Sequence, residues 1–277
     1  MARFEAADLD APYPLGDEQK RRFRDDGFIR LPGVFGADTL AHFDREITRV
    51  TMENNSLADV PLDRRDTYGK AFIQVCNLWQ KSDEAKRLSF SRRLARLATD
   101  LLDTRGVRMW HDQALYKEPA GGFTPWHTDQ QYWPMASSLC VTAWIPLHAV
   151  PLDRGPLSFG RGSHLKRIGR ELEISDESER IIREAIREQG VVEVTEPYGL
   201  GDVSFHLGWT LHRAGPNTTT ESRRVHTVIF MDVDMRLAAP KTANERNDHA
   251  AWTPATRVGE IMDDPLNPVL YERPATG

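Results

Sequence analysis

Val107-Arg108-Met109-Trp110-His111-Asp112-Gln113-Ala114-Leu115-Tyr116 is the stretch on which the reading of the fold turns. Upstream of it, apolar residues recur at helical spacing: Leu40, Phe43, Ile47 and Val50, then Leu94, Leu97 and Leu101. Downstream, short strand-like runs are broken by Gly and Pro: Leu139 to Leu147, Val191 to Val194, Asp202 to His206 and Val225 to Val233. Amphipathic helices feeding a series of short strands predict an antiparallel sandwich or barrel with helices against one side. One helix is expected inside the β part, where Ser175-Asp176-Glu177-Ser178 offers a capping start, Gly190 a stop, and Ile181, Ile182, Ala185 and Ile186 an apolar face.

The 277 residues, 40% of them hydrophobic, suffice for one full core, and a single domain over residues 1–277 is expected. It divides into a helical part of about 1–105, a β core of about 106–236 and a polar, Pro-containing tail over 237–277, packed across the surface. Between the first helices, Met52 to Arg65 is polar and turn-rich, and reads either as a lid or as a disordered loop. No repeat or low-complexity tract is present.

With 36 Lys and Arg against 41 Asp and Glu, the formal charge of -5 gives no broad positive field for a phosphate backbone or an anionic membrane, so neither nucleic acid nor membrane is an expected partner. A small-molecule substrate is. Only Cys76 and Cys140 occur, each in an apolar stretch, which favours buried thiols in a reducing compartment over a disulfide framework. The acidic N-terminus and the lack of a long apolar run add to an expectation of a cytoplasmic protein.

Candidate chemistry starts at Pro125-Trp126-His127-Thr128-Asp129-Gln130, after the Ala120-Gly121-Gly122 turn. His127 and Asp129 stand two apart, so on an extended segment they point the same way and can share a metal. A second imidazole would complete one face of an octahedron and leave the other open for a bidentate co-substrate and dioxygen. His212, 85 residues on, lies just before Gly215-Pro216-Asn217, and Arg223 follows it by eleven positions. Were the two on neighbouring strands of a hairpin, both would face one cavity, and the Arg223 guanidinium could pair with a carboxylate in bidentate fashion. Arg224 would point to the opposite face.

Taken in order, the motifs of Val107 to Val233 resemble those of the phytanoyl-CoA hydroxylase-like branch of the iron(II)- and 2-oxoglutarate-dependent dioxygenases. The motifs are Gln113-Ala114-Leu115-Tyr116-Lys117, Trp126-His127-Thr128-Asp129, Val141-Thr142-Ala143-Trp144-Ile145-Pro146-Leu147, Gly155-Pro156-Leu157 with Gly162-Ser163-His164, Gly201-Asp202-Val203, and His212 to Arg223. The resemblance implies a double-stranded β-helix, a jelly-roll, cupin-like barrel buttressed by the N-terminal helices. It makes His127, Asp129 and His212 the catalytic iron ligands and Arg223 the anchor of 2-oxoglutarate, with Trp144 and Gln113 as walls or donors of that pocket. The cofactor set it implies is Fe(II), 2-oxoglutarate and O2. Ala214 departs from the pattern, since a hydroxyl residue often stands two positions after the distal histidine, and Thr142 is the expected substitute. Halogenating relatives carry a small residue in place of the carboxylate, so Asp129 argues for carbon oxidation: hydroxylation, cyclisation, epimerisation or desaturation.

Most of the nine histidines are expected to be structural, His111, His148, His206 and His226 among them, and His164 is expected to hold backbone carbonyls. Tyr132 and Trp133, with Phe72 and Trp79 from the lid candidate, are expected against substrate. Together with a resemblance to bacterial tailoring enzymes, this aromatic crowd points to a bulky, partly apolar substrate of secondary metabolism, as in antibiotic biosynthesis. The alternative is a jelly-roll metal protein without 2-oxoglutarate chemistry, either a cupin-like enzyme or a binding protein; Arg223 would then have no dicarboxylate to hold.

Overall fold

Two long strands, β3 (Gly106–Lys117) and β10 (Arg223–Asp232), pair antiparallel along their whole length, from Arg223 opposite Lys117 to Asp232 opposite Val107. They form the middle of the larger sheet in a computed structural model that describes residues 5 to 274. Around them the chain runs α1 (Asp17–Asp26), β1 (Phe28–Leu31), α2 (Ala37–Glu53), α3 (Thr67–Ala71), β2 (Ile73–Cys76), α4 (Asp83–Ser89) and α5 (Arg92–Leu102) before β3. After it come β4 (Thr124–His127), β5 (Cys140–Pro146), β6 (Leu157–Gly160), α6 (Asp176–Glu188), β7 (Glu193–Thr195), β8 (Val203–Leu207) and β9 (His212–Ala214). The helix α7 (Ala243–Trp252) and strand β11 (Val269–Glu272) follow β10.

A seven-stranded sheet has the order β1-β8-β5-β10-β3-β11, with β2 also on β3, and a four-stranded sheet has the order β4-β9-β6-β7. Every pairing is antiparallel. This is the double-stranded β-helix in its open form: no described ladder joins the two sheets, so they face one another without closing a barrel.

Side-chain alternation along the strands separates two interiors. On β5, Val141, Ala143 and Ile145 join Leu40, Phe43 and Ile47 of α2 and Leu94, Leu97 and Leu101 of α5 in the main core, all nearly inaccessible. Burying each such side chain contributes about 1.5–3 kcal/mol, which is what binds the helices to the sheet. Thr142 and Trp144, the intervening residues, turn towards the smaller sheet, where Trp144 packs with Leu157, Phe159 and Ala214. The same parity on β10 sends Arg223 inward and Arg224 outward, where Arg224 forms a two-pronged ion pair with Asp44 of α2 at 2.7 and 2.9 Å.

Local signals set the helix ends. Ser91 accepts from the Leu94 amide to start α5, and a reciprocal pair of Ser175 and Ser178 bonds starts α6, the helix inserted between β6 and β7. Four elements lie outside the expected pattern. β1 and β2 place strands in the part read as helical, and the tail holds α7 and β11. β1, β2 and β11 are four residues each, too short to show a period, and they are strands because β8 and β3 offer them a free ladder edge. The stretch read as lid or loop is mostly exposed turns, tied down at its end by Arg65, which is buried and whose guanidinium bonds Glu118 and the Val60 carbonyl, and β2 beyond it is woven into the sheet. No helix among the described residues is long and apolar enough to cross a membrane.

Candidate active site

Opposite each other on β4 and β9 of the smaller sheet stand His127 and His212, their ring centroids 4.1 Å apart. The chain stays extended through Thr128 and then tightens into a 3-10 turn that begins at Asp129, so only the first half of the His-Thr-Asp triplet lies on a strand. The turn brings Asp129 Oδ1 to 3.4 Å from His212 Nε2 and 3.7 Å from His127 Nε2. One ligand atom from each of the three lies within 4.8 Å of the other two. That spacing suits a single ion.

Backbone carbonyls decide how the imidazoles are protonated. His127 Nδ1 lies 2.8 Å from the Pro125 carbonyl and His212 Nδ1 lies 3.1 Å from the Thr210 carbonyl. A carbonyl only accepts, so each Nδ1 carries the hydrogen and each Nε2 keeps its lone pair aimed at the centre. Burial pushes both rings down to about 4, and the neighbouring His212 adds to the effect on His127. Burial works the other way on Asp129, but His212, His206 and His127 more than offset it and hold the carboxyl well below the usual carboxylate range. Two neutral nitrogen donors and one carboxylate therefore meet at the point, the donor set of a facial iron triad.

Behind this triad sits a residue whose role the sequence conceals. His206 Nε2 is 3.1 Å from Asp129 Oδ2, and Thr142 Oγ1 donates to the same oxygen at 3.0 Å. Oδ1 is left to face the histidines. Thr142, expected at the co-substrate, lines the cavity between the two sheets and supports the carboxylate, and His206, expected to be an ordinary core histidine, shares that support. The register partner of Ala214 on β4, Thr124, carries a hydroxyl and lines the same cavity.

A cavity of about 330 Å³ runs past the triad between the two sheets. At its inner end Arg223 is 2% exposed, its guanidinium 5.4 Å from the Trp144 ring centre, and its Nη1 donates to the Gly155 carbonyl at 2.6 Å. Arg223 Nε is buried and has no partner, and no described carboxylate lies within ion-pair distance of this side chain. Beside it Lys117, fully buried and its register partner on β3, donates to the Gly122 carbonyl. Burial and then Arg223 bring the Lys117 ammonium down to about 6, and burial brings Arg223 to about 10. Arg223, a buried cation with no anion of its own, makes this end of the cavity selective for a carboxylate. His212 and Arg223 converge from opposite sheets rather than from one hairpin, because β9 pairs β4 and β6 while β10 pairs β3 and β5.

Trp144 and Gln113 line the same cavity, Gln113 held by Gln74 at 2.5 Å. Phe72, Tyr132 and Trp133 line its outer part. Trp79 does not: it packs on Phe90 at the main core, with its indole N–H on Asn77. The outer wall also holds residues that sequence reasoning passed over, His111 on β3 and Asp248 and Trp252 on α7. A polar tail without an apolar period gave no sign that one of its helices would reach the cavity.

The profile of the phytanoyl-CoA dioxygenase (PhyH) family matches residues 23–225. The chain belongs to that family. Among curated members of known name, it is 24% identical over 249 residues to an ectoine dioxygenase of Stutzerimonas stutzeri (strain A1501), covering 82% of this chain and 80% of the relative. Among solved structures it is similar to the non-heme alpha-ketoglutarate-dependent epimerase SnoN from nogalamycin biosynthesis. The TM-score is 0.75 and the identity 27%, over 92% of this chain and 98% of that one. The carbocyclase SnoK of the same biosynthesis aligns with a TM-score of 0.77 and 25% identity, over 94% and 100% of the two chains. SnoN has been crystallised with Fe3+, alpha-ketoglutarate and nogalamycin RO. This PhyH-family chain is an iron- and 2-oxoglutarate-dependent dioxygenase, with dioxygen as the second co-substrate, and the reading without 2-oxoglutarate falls away.

Proposed function

We propose that His127, Asp129 and His212 hold the iron, that Arg223 anchors the distal carboxylate of 2-oxoglutarate, and that the reaction oxidises a C–H bond in a bulky small molecule of bacterial secondary metabolism. The observation that carries this is the placement of a buried, carboxylate-free Arg223 in the same cavity as the triad, on its inner side. The donor set fits ferrous iron: two imidazoles whose hydrogens are turned away by carbonyls, and a carboxylate with one oxygen committed elsewhere and the other free. The cationic inner end fits a dicarboxylate whose other end reaches the metal. Bound together, iron and 2-oxoglutarate supply oxidation of a carbon coupled to decarboxylation of the co-substrate.

The protein's own side chains do the rest. Thr142 and His206 keep the Asp129 carboxylate from rotating, so its second oxygen stays on the metal side. Arg223 and Trp144 fix the co-substrate in a dry pocket, and Phe72, Tyr132 and Trp133 present aromatic surface where substrate enters. Epimerase and carbocyclase relatives support outcomes other than hydroxylation, and their common biosynthesis supports a tailoring role. The free thiols of Cys76 and Cys140 accord with a cytoplasmic location. Succinate release, assayed over a panel of aromatic polyketides and other tailoring substrates, tests the reading: a compound-dependent rise supports it, and a rise only with primary metabolites such as ectoine precursors would redirect it.

A further inference from the structure

The mouth of the cavity carries one carboxylate besides the metal ligand, and it comes from the tail. α7 has a reciprocal Thr242 and Glu245 cap, contributes no fully buried residue to any core, and lies against the 3-10 turn that follows Asp129. Two of its side chains line the cavity, Asp248 and, one helical turn later, Trp252. Trp252 lies over the His111 ring with centroids 4.9 Å apart and donates to the Asp248 carboxylate. Tyr68, Phe72 and Tyr132 line the same outer space. Asp248 acts across it: its charge helps push up the Tyr132 phenol and the Cys76 thiol, after burial, to about 12 in each case.

Among the described residues no Lys, Arg or His lies within ion-pair distance of Asp248. Its counterpart among the described residues is the Trp252 indole. Burial in this aromatic surround pushes the Asp248 carboxyl up to about 7. A structural carboxylate at a helix surface would ordinarily find a basic neighbour or water; this one is turned among rings that favour a cation over their faces. His111 supplies the same wall with a second polar atom. It is 5% exposed, its Nδ1 has no partner, and burial keeps the ring neutral, down to about 4, so it offers no competing positive charge.

We propose that the outer end of the cavity is a subsite for a protonated amine of the substrate, with Asp248 as its counter-ion and Tyr68, Phe72, Tyr132 and Trp252 packed around it. The substrate is then a bulky molecule bearing a basic nitrogen, held with that nitrogen towards α7 and its reacting carbon towards the triad. This rests on the reading above only in taking the cavity as the substrate's.

The test uses the full chain loaded anaerobically with Fe(II) and 2-oxoglutarate, at a mildly alkaline pH where the carboxylate is ionised and a benzylic amine is still protonated. Calorimetry compares 1-naphthylmethylamine with 1-naphthylmethanol, which match in shape and differ in charge. The amine is expected to bind about tenfold tighter than the alcohol, and Asp248→Asn to abolish that preference while keeping the melting temperature of the parent. Equal binding of the two, binding of neither, or a preference that survives Asp248→Asn overturns the proposal. Should Asp248→Asn fold poorly, Asp248→Ala, which removes the carboxylate outright, is expected to abolish the amine preference in the same way, and a preference that survives it overturns the proposal. Calorimetry reads the preference whether or not 2-oxoglutarate binds, so failure of the subsite and failure of the co-substrate assignment are separate results.

Discussion

Thr142 and His206 are cross-strand partners on β5 and β8, and both hydrogen-bond the same carboxylate oxygen, Oδ2 of Asp129, at 3.0 and 3.1 Å. Asp129 stands on a turn and owes its orientation to the opposite sheet. Because the larger sheet holds the carboxylate while the smaller one holds both histidines, the metal point is a contact between the two sheets.

Removing that support should weaken the metal site without deleting a ligand. Thr142→Val and His206→Phe are each expected to lower Fe(II) affinity by roughly 10- to 100-fold, measured by competition with a chromophoric chelator. Unchanged affinity in both would show that Asp129 is held by its own turn.

Arg223→Ala should raise the 2-oxoglutarate requirement by at least about a hundredfold while Fe(II) binding stays near the parent value, because the buried carboxylate of the co-substrate loses its only fully charged fork. Arg223→Lys is expected to recover part of this, since a point charge cannot make the paired contact. Titration of 2-oxoglutarate at fixed iron measures both. Loss of iron binding in Arg223→Ala would mean that the residue serves the metal.

Gly155 offers a check on the same contact from the backbone. It adopts φ +70°, a Cβ there would come 2.4 Å from the Gly215 carbonyl oxygen, and its own carbonyl accepts from Arg223. Gly155→Ala is expected to cost roughly 1–3 kcal/mol in urea unfolding and to weaken 2-oxoglutarate binding as well. A variant that binds 2-oxoglutarate like the parent would separate the turn from the anchor.

His111 gives a pH signature. Its pKa falls from the ordinary 6.5 to about 4 on burial, so between those values the unfolded chain binds a proton that the folded chain refuses. Its neutral state is therefore fully compatible with folding above about pH 6.5, and stability is lost as pH drops towards 4, by up to about 3 kcal/mol. His111→Phe should flatten that part of the curve, so chemical denaturation at neutral and at acid pH should show the variant gaining on the parent as pH falls. Parallel curves would show that the ring can be protonated in place.

Much of this was legible in the sequence, for physical reasons. Period-two alternation and Gly and Pro breaks marked β3, β5, β7, β8 and β10, and the same alternation put Arg223 and Arg224 on opposite faces of β10. Ser175 and Gly190 bounded α6 because caps are local chemistry. What escaped depends on contacts distant in sequence. His206 looks like any strand histidine until β8 lies beside β5, and Trp79 looks like a lid aromatic until Phe90 covers it. The hairpin expected to join His212 and Arg223 failed because a ten-residue gap does not reveal a change of sheet. Asp248 and Trp252 were hidden for a similar reason: a short helix that buries nothing in a core carries no apolar period.

The central claim is that the triad and Arg223 together form one site for iron and 2-oxoglutarate, and anaerobic titration of the metal-free protein with Fe(II) and then 2-oxoglutarate tests it most directly. A weak visible charge-transfer band is expected, absent in His212→Ala at any 2-oxoglutarate concentration and recovered in Arg223→Ala only at much higher concentration. No band in the parent protein at saturating iron and 2-oxoglutarate, or an Arg223→Ala titration that overlays the parent's, would contradict it.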